Sequence, residues 1–196
     1  MPEASSLTAE TLKSKMSKIL YLHGFGSCGE SQKSNALKEY FGREAVIAPD
    51  LFYAPKDAIA QLEEIIQRED IGLLIGSSLG GFYATFLAEK FALPTILLNP
   101  SVEPWITLKP YIGWQERFCD GERFAFKASY IDDLKALRTL PLRSAYLVLL
   151  QSGDETLDYT VAKNYYKRHR VVVECGGNHR FENIEDYLCM IEKLRR

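Results

Sequence analysis

The sequence predicts an α/β protein: a three-layer architecture around a mostly parallel, doubly wound sheet. Short apolar runs alternate with amphipathic helical stretches almost throughout, and that βαβα rhythm builds parallel sheets with right-handed crossovers. A glycine-flanked serine stands between one apolar run and the helix that follows it. The chain has 196 residues, 46% of them hydrophobic and 26% charged. That length suits one well-buried domain and is short for two.

Residues 18–196 read as that single domain. Residues 1–17 read as a flexible or weakly helical extension, because Pro2 to Ser17 is polar and lacks the apolar core of a signal peptide. Met16-Ser17-Lys18 offers an alternative start. Lys18 to Leu22 is the first expected strand, and it runs into the glycine-rich loop His23-Gly24-Phe25-Gly26-Ser27. Ser31 to Phe41 reads as a helix, and Ala45 to Ala48 as a short strand ended by Pro49-Asp50. Lys56 to Gln67 places Ala58, Ile59, Leu62, Ile65 and Ile66 on one helical face. Ile71 to Ile75 is an apolar run of the kind that forms a buried strand. After it, Phe82, Tyr83, Phe86, Leu87 and Phe91 recur at helical spacing. Thr95 to Leu98, Ala145 to Leu150 and Val171 to Val173 complete the expected strands.

One stretch breaks the rhythm. Ser101 to Leu140 carries Trp105, Tyr111, Trp114, Phe118, Phe124, Phe126 and Tyr130 between two strands. A crossover there needs only about a dozen residues. Residues 101–140 are either an insertion that caps the pocket or a second small packing layer.

The chemistry is read from Gly76-Ser77-Ser78-Leu79-Gly80. A serine on a tight strand-to-helix turn is forced into a strained backbone conformation that projects its hydroxyl from the sheet. Small residues two before and two after it let strand and helix approach. The Leu79 N–H, at the start of the helix, is then free for a developing oxyanion. A second N–H, from Phe25 in the loop after the first strand, can face the same point. Asp154, in Gly153-Asp154-Glu155, follows the strand ending at Leu150 and is the expected acid. Asp158 is its rival but sits further along, where the next helix opens. His179, in Gly176-Gly177-Asn178-His179, follows the last strand and is the expected base. Of the other histidines, His169 lies in a basic run that reads as a solvated helix end. His23 comes too early in the chain for a base and reads as a brace for its loop. A phosphate-binding reading of Gly24, Gly26 and Gly29 is weak, since no Gly-Lys-Ser/Thr follows.

Composition narrows the partners. A formal net charge of −2 implies no basic surface, so nucleic acid is not an expected partner. No apolar stretch is long enough to span a membrane. The four cysteines, Cys28, Cys119, Cys175 and Cys189, form no Cys-x-x-Cys pair and read as reduced thiols in a reducing, cytoplasmic compartment. Neither Cys28 nor Cys175 sits on an elbow that would make it a nucleophile.

Together these pieces resemble the α/β-hydrolase superfamily, and more closely the YqiA-like esterase family. The matching segments are Tyr21-Leu22-His23-Gly24-Phe25, Gly76-Ser77-Ser78-Leu79-Gly80-Gly81, Asn99-Pro100, Gly153-Asp154-Glu155 with Leu157-Asp158-Tyr159, and Gly176-Gly177-Asn178-His179. They span the chain from Lys18 to its C-terminus. The resemblance implies a sheet without the first strands of larger relatives and a triad of Ser78, Asp154 and His179. Residues Gly26 to Glu30 depart from the pattern, which leaves the pocket's shape open. The expected activity is serine-dependent hydrolysis of a small-molecule carboxylic ester, with no cofactor and no metal. An acyl-CoA thioesterase with the same triad and a non-catalytic binding protein of this fold are the alternatives.

Overall fold

A computed structural model describes residues 17–195. The expected N-terminal extension therefore lies, but for Ser17, outside the described residues. In chain order the elements are β1 (Lys18–Leu22), α1 (Gln32–Phe41), β2 (Val46–Ile47), α2 (Pro55–Arg68), β3 (Ile71–Ser77), α3 (Leu79–Phe91) and β4 (Thr95–Leu98). Then come α4 (Pro104–Thr107), β5 (Gly113–Glu116), β6 (Arg123–Phe126), α5 (Ser129–Ala136), β7 (Tyr146–Gln151), α6 (Tyr159–Tyr165), β8 (Arg170–Glu174) and α7 (Leu188–Leu194). Among the described residues no helix is long and apolar enough to cross a membrane.

Six strands form one sheet in the order β2-β1-β3-β4-β7-β8, and every neighbouring pair is parallel. The strands alternate their side chains between two apolar layers. Leu20, Leu22, Leu74, Leu97, Val148 and Leu150 face α2, α3 and the segment between β4 and β7. Ile19, Tyr21, Leu73, Ile75, Ile96, Leu98 and Leu149 face Leu37 of α1 and Leu188 and Ile191 of α7. A parallel sheet covered on both faces explains why its strands read as continuous apolar runs. The chain steps outward from β1 to β2 and then returns to pair β3 against β1. The C-terminal ends of β1 and β3 thus flank a topological switch point, where open α/β sheets bind ligands.

The aromatic-rich segment is partly structural and partly exposed. It contains α4, the separate antiparallel hairpin β5–β6, and α5. Trp105, Phe124 and Phe126 are buried, with Trp105 edge-on to Phe82 of α3 and Phe124 stacked on Tyr53. Trp114 and Phe118 are 67% and 82% exposed. The segment is therefore a packing layer on its inner side and an open wall on its outer side.

The cysteine expectation needs correction. Cys28 and Cys119 are joined as a disulfide, while Cys175 and Cys189 are free and exposed. The hairpin docks on the glycine-rich loop: the Phe118 N–H donates to the Gly26 carbonyl (2.7 Å), and Arg117 pairs with Asp50 (3.2 Å). Asp50 in turn accepts from the Gly29 N–H (2.6 Å). These ties bring the Cys28 and Cys119 Cα atoms to 6.5 Å, within disulfide reach, although 91 residues separate them in sequence. Thiol titration of the unfolded, unreduced protein should count two free thiols, rising to four after reduction. A count of four before reduction would contradict the cross-link.

Candidate active site

Ser78 occupies the turn between β3 and α3 with φ 53 and ψ −120. A non-glycine residue at positive φ is strained, and the surroundings must hold it there. They do so in two ways. Glycines remove the Cβ atoms that would clash: one on Gly76 would meet the Gly80 carbonyl at 2.5 Å, and one on Gly80 would collide with the Leu22 carbonyl. Hydrogen bonds then pin the turn. The Ser78 N–H donates to Leu98 (3.1 Å), and its carbonyl accepts from Gly81 (2.9 Å) and Ser101 (3.0 Å).

The three residues singled out from the sequence meet here. Ser78 Oγ lies 3.0 Å from His179 Nε2. His179 Nδ1 lies 2.8 Å from Asp154 Oδ2 and 3.0 Å from Oδ1. Asp154 sits at the C-terminal tip of β7 with its carboxylate almost fully enclosed, and it also accepts from the backbone N–H groups of Thr156 and Leu157. Asp158 does not reach the histidine; it caps α6 by accepting from the Thr160 N–H at 2.9 Å. Such a chain can draw a proton from the serine hydroxyl to an imidazole whose other nitrogen is oriented by a carboxylate.

The loop after β1 lies against the serine. A Cβ on Gly24 would touch Ser78 Cβ at 3.1 Å. Among the described residues, neither the Phe25 N–H nor the Leu79 N–H donates to another protein group. The Phe25 ring is held by Tyr111, Phe124 and Phe126, with centroids 5.1–5.6 Å away, so the aromatic segment fixes the loop that carries this N–H. His23 is the brace anticipated from the sequence. Its Nε2 accepts from the Leu51 N–H (3.1 Å), which leaves the proton on Nδ1, where it is donated to the Gly24 carbonyl (2.9 Å). Burial holds its pKa below the usual histidine value, and a protonated ring would set two N–H groups against each other at Leu51.

Ser78 opens into a cavity of about 210 Å³ whose walls include Phe25, Tyr111, Phe118, Ser101, Thr107 and Thr156. Of the aromatics in residues 101–140, only Tyr111 and Phe118 line this cavity; Trp105 and Trp114 do not. Among the described residues no group of three or more His, Cys, Asp or Glu is arranged to hold a metal ion.

Two further residues support the site; Asn99 entered the sequence reading only within the Asn99-Pro100 segment of the family resemblance, and Gln151 carried no functional signal. Asn99 and Gln151 are each only 2% exposed and follow or end buried strands. Asn99 Oδ1 accepts from the Gln151 N–H (2.9 Å), and its amide donates to the Asn178 carbonyl (3.0 Å). Gln151 Oε1 accepts from the Asn178 N–H (2.9 Å). The residue before His179 is thus held through both of its backbone polar groups by the ends of β4 and β7. Phe181, fully buried at φ 54, anchors the other side of the loop.

Comparisons with known proteins bear on the family and the fold. The model of the uncharacterised protein family UPF0227 matches residues 18–196. The chain belongs to this family. A UPF0227 protein from Serratia proteamaculans is 23% identical over 190 residues, covering 90% of this chain and 98% of the relative. Among solved structures, the chain is similar to mouse alpha/beta hydrolase domain-containing protein 10 (TM-score 0.73, 18% identity, 92% of this chain and 90% of that one). It is also similar to Est1E from Butyrivibrio proteoclasticus, solved with ferulic acid bound (TM-score 0.72, 15% identity, 94% and 92%). This member of UPF0227 has the α/β-hydrolase fold.

Asn99→Ala should leave the Gln151 N–H without a partner and remove one of two donors to the Asn178 carbonyl, which keeps the Phe181 N–H. An orphaned buried group costs about 1–3 kcal/mol, so urea unfolding should show a loss of at least ~1 kcal/mol. A loss below half that value would mean the bridge is dispensable.

Proposed function

We propose that this chain is a serine esterase that hydrolyses carboxylic esters through an acyl-enzyme at Ser78. The observation that carries this reading is the unbroken path from Ser78 Oγ to His179 Nε2 (3.0 Å) and from His179 Nδ1 to Asp154 (2.8 Å), at the mouth of a cavity. In this reading Ser78 Oγ attacks the ester carbonyl carbon as its proton passes to His179. Asp154 keeps the imidazole in the tautomer whose Nε2 is free, and it stabilises the imidazolium that forms. The carbonyl oxygen becomes an oxyanion facing the N–H groups of Phe25 and Leu79. His179 then protonates the leaving alcohol as the C–O bond breaks. A water, deprotonated by the same imidazole, attacks the acyl carbon and releases the acid and free Ser78.

The same steps would cleave a thioester. A carboxylic ester is favoured over an acyl-CoA because no lysine or arginine lines the cavity, so nothing in its walls would meet the phosphates of a nucleotide tail. A binding protein without activity is disfavoured by the strain stored at Ser78, which a binder has no reason to keep.

Ser78→Ala should abolish hydrolysis of p-nitrophenyl butyrate and labelling by a fluorophosphonate probe, with circular dichroism unchanged. Asp154→Asn should lower kcat by a factor on the order of 10⁴, through the wrong imidazole tautomer. Asp158→Asn should keep near-wild-type kcat, and its amide oxygen can still accept from the Thr160 N–H and cap the helix. Wild-type turnover in Ser78→Ala, or the reverse order of the two aspartates, would sink the assignment.

The exposed aromatic wall generates a second expectation. Each methylene buried against it is worth about 0.8 kcal/mol. Phe118→Ala and Tyr111→Ala should therefore weaken the preference for longer acyl chains in a p-nitrophenyl ester series, whereas Trp114→Ala should not. An unchanged chain-length profile in both variants would remove these residues from the acyl site.

A further inference from the structure

The loop that presents His179 has little of its own to hold it. Gly176 and Gly177, just before it, both stand at positive φ (82 and 72), a region open to glycine and restricted for other residues. The place of the imidazole must therefore be set from outside the loop. Asn178 is held by Asn99 and Gln151, and Lys33 of α1 donates to the Arg180 carbonyl. Between these ties lies the His179 N–H. Among the described residues no main-chain carbonyl accepts it. The Glu155 carboxylate does, with Oε2 at 3.0 Å from the His179 nitrogen.

Glu155 directly follows Asp154, and the turn they occupy is closed. Asp154 Oδ1 accepts from the N–H groups of Thr156 and Leu157, beyond Glu155 in the chain, and the Asp154 N–H donates to the Gln151 carbonyl (3.2 Å). Two adjacent carboxylates thus reach from one braced turn to one histidine. Asp154 takes the ring at Nδ1, and Glu155 takes the main chain. A ring held only at Nδ1 can still swing about that point, which changes the distance from Nε2 to Ser78 Oγ. A second contact on the main chain of the same residue restrains the swing. The His179 N–H holds the Glu155 carboxyl below the usual carboxylate range, so the acceptor is an anion at neutral pH. A hydrogen bond to a carboxylate is shorter and stronger than one to a neutral oxygen.

We propose that Glu155 is a positioning residue for the site: through the His179 N–H it fixes where Nε2 stands relative to Ser78 Oγ. The proposal rests on the esterase reading above and adds a fourth side chain to it. Glu155 is not among the residues that line the cavity, so its effect falls on proton transfer and not on the binding of the ester. Proton transfer is sensitive to such placement, since a misplacement of about 1 Å can cost on the order of 10²-fold in rate.

The experiment measures kcat and KM on p-nitrophenyl butyrate for Glu155→Ala, Glu155→Gln and Ser152→Ala. Ser152 is the control. Its Oγ accepts from the Gly176 N–H (2.9 Å), a tie between the same two loops that does not touch His179. Glu155→Ala should lower kcat by about tenfold, the upper range for one hydrogen bond. Its KM should stay within about twofold of the wild type, because ester binding is untouched. Glu155→Gln keeps an acceptor oxygen and should hold kcat within about threefold of the wild type. Ser152→Ala should keep wild-type kcat. Unchanged kcat in Glu155→Ala, equal losses in the alanine and glutamine variants, or an equal loss in Ser152→Ala would overturn the assignment. Should Glu155→Ala fold poorly by circular dichroism, Glu155→Leu, which keeps the bulk and removes the acceptor, takes its place with the same outcomes. Turnover that is lost in Ser78→Ala but unchanged in Glu155→Ala refutes the role of Glu155 alone. No turnover and no fluorophosphonate labelling in the wild type refutes the esterase reading and this role with it.

Discussion

Everything at this site depends on one backbone torsion, the positive φ of Ser78. A side chain at that position pushes back toward extended or helical geometry, and only a closely fitted surround keeps it in place. The surround is drawn from four parts of the chain. The β1 end gives way only because Gly80 has no side chain. The Leu98 carbonyl and the Ser101 N–H bracket the turn from the next strand. Gly76 and Gly81 let α3 lie directly on β3. The central strands and the Ser78 hydroxyl are therefore a single mechanical unit, and a change in the pairing of β1, β3 and β4 would be felt at the oxygen atom.

A second unit meets the first at His179. It is built from the ends of β4 and β7, and its principal members are polar groups in a setting that is otherwise apolar. Asn99 and Gln151 satisfy each other and the loop, so their burial carries no net penalty. Gln151 also reaches Glu174 and Asn183, which extends the network to β8 and to the turn before α7. The imidazole is thereby referenced to the same strand ends as the serine, and the 3.0 Å gap between them follows from sheet register.

The six strands of the main sheet were legible because a doubly covered parallel sheet writes each of them as an apolar run, and the expected bounds fall within a residue or two of those observed; the hairpin strands β5 and β6 were not expected. The elbow was legible because its two glycines and its serine are local in sequence. Asp154 and His179 were legible from chain order and from their places just after strands. What could not be read were the features fixed by partners distant along the chain. Asn99 directly follows a strand, and nothing nearby in sequence marks it as a bridge to residue 178. The pairing of Cys28 with Cys119 closes a long loop and leaves no local pattern. The seven aromatics of residues 101–140 share one composition but divide by position. Trp105 is inserted against α3, whereas Trp114 sits on a two-stranded hairpin too small to bury it.

Among the described residues, that hairpin shares no strand pairing with the main sheet. It is held by Cys119, Arg117 and Phe118 on its outer end, and by Phe124 and Phe126 underneath. The part of the cavity wall carried by Phe118 thus stands apart from the sheet, whereas Ser78, Asp154 and His179 follow strands of that sheet. Selection, natural or in the laboratory, can rewrite Tyr111 and Phe118 without touching the register of β1, β3 and β4. Under the esterase reading proposed above, a lineage built this way can drift widely in what it accepts while its reaction stays fixed, and divergence among its members should concentrate in these few residues.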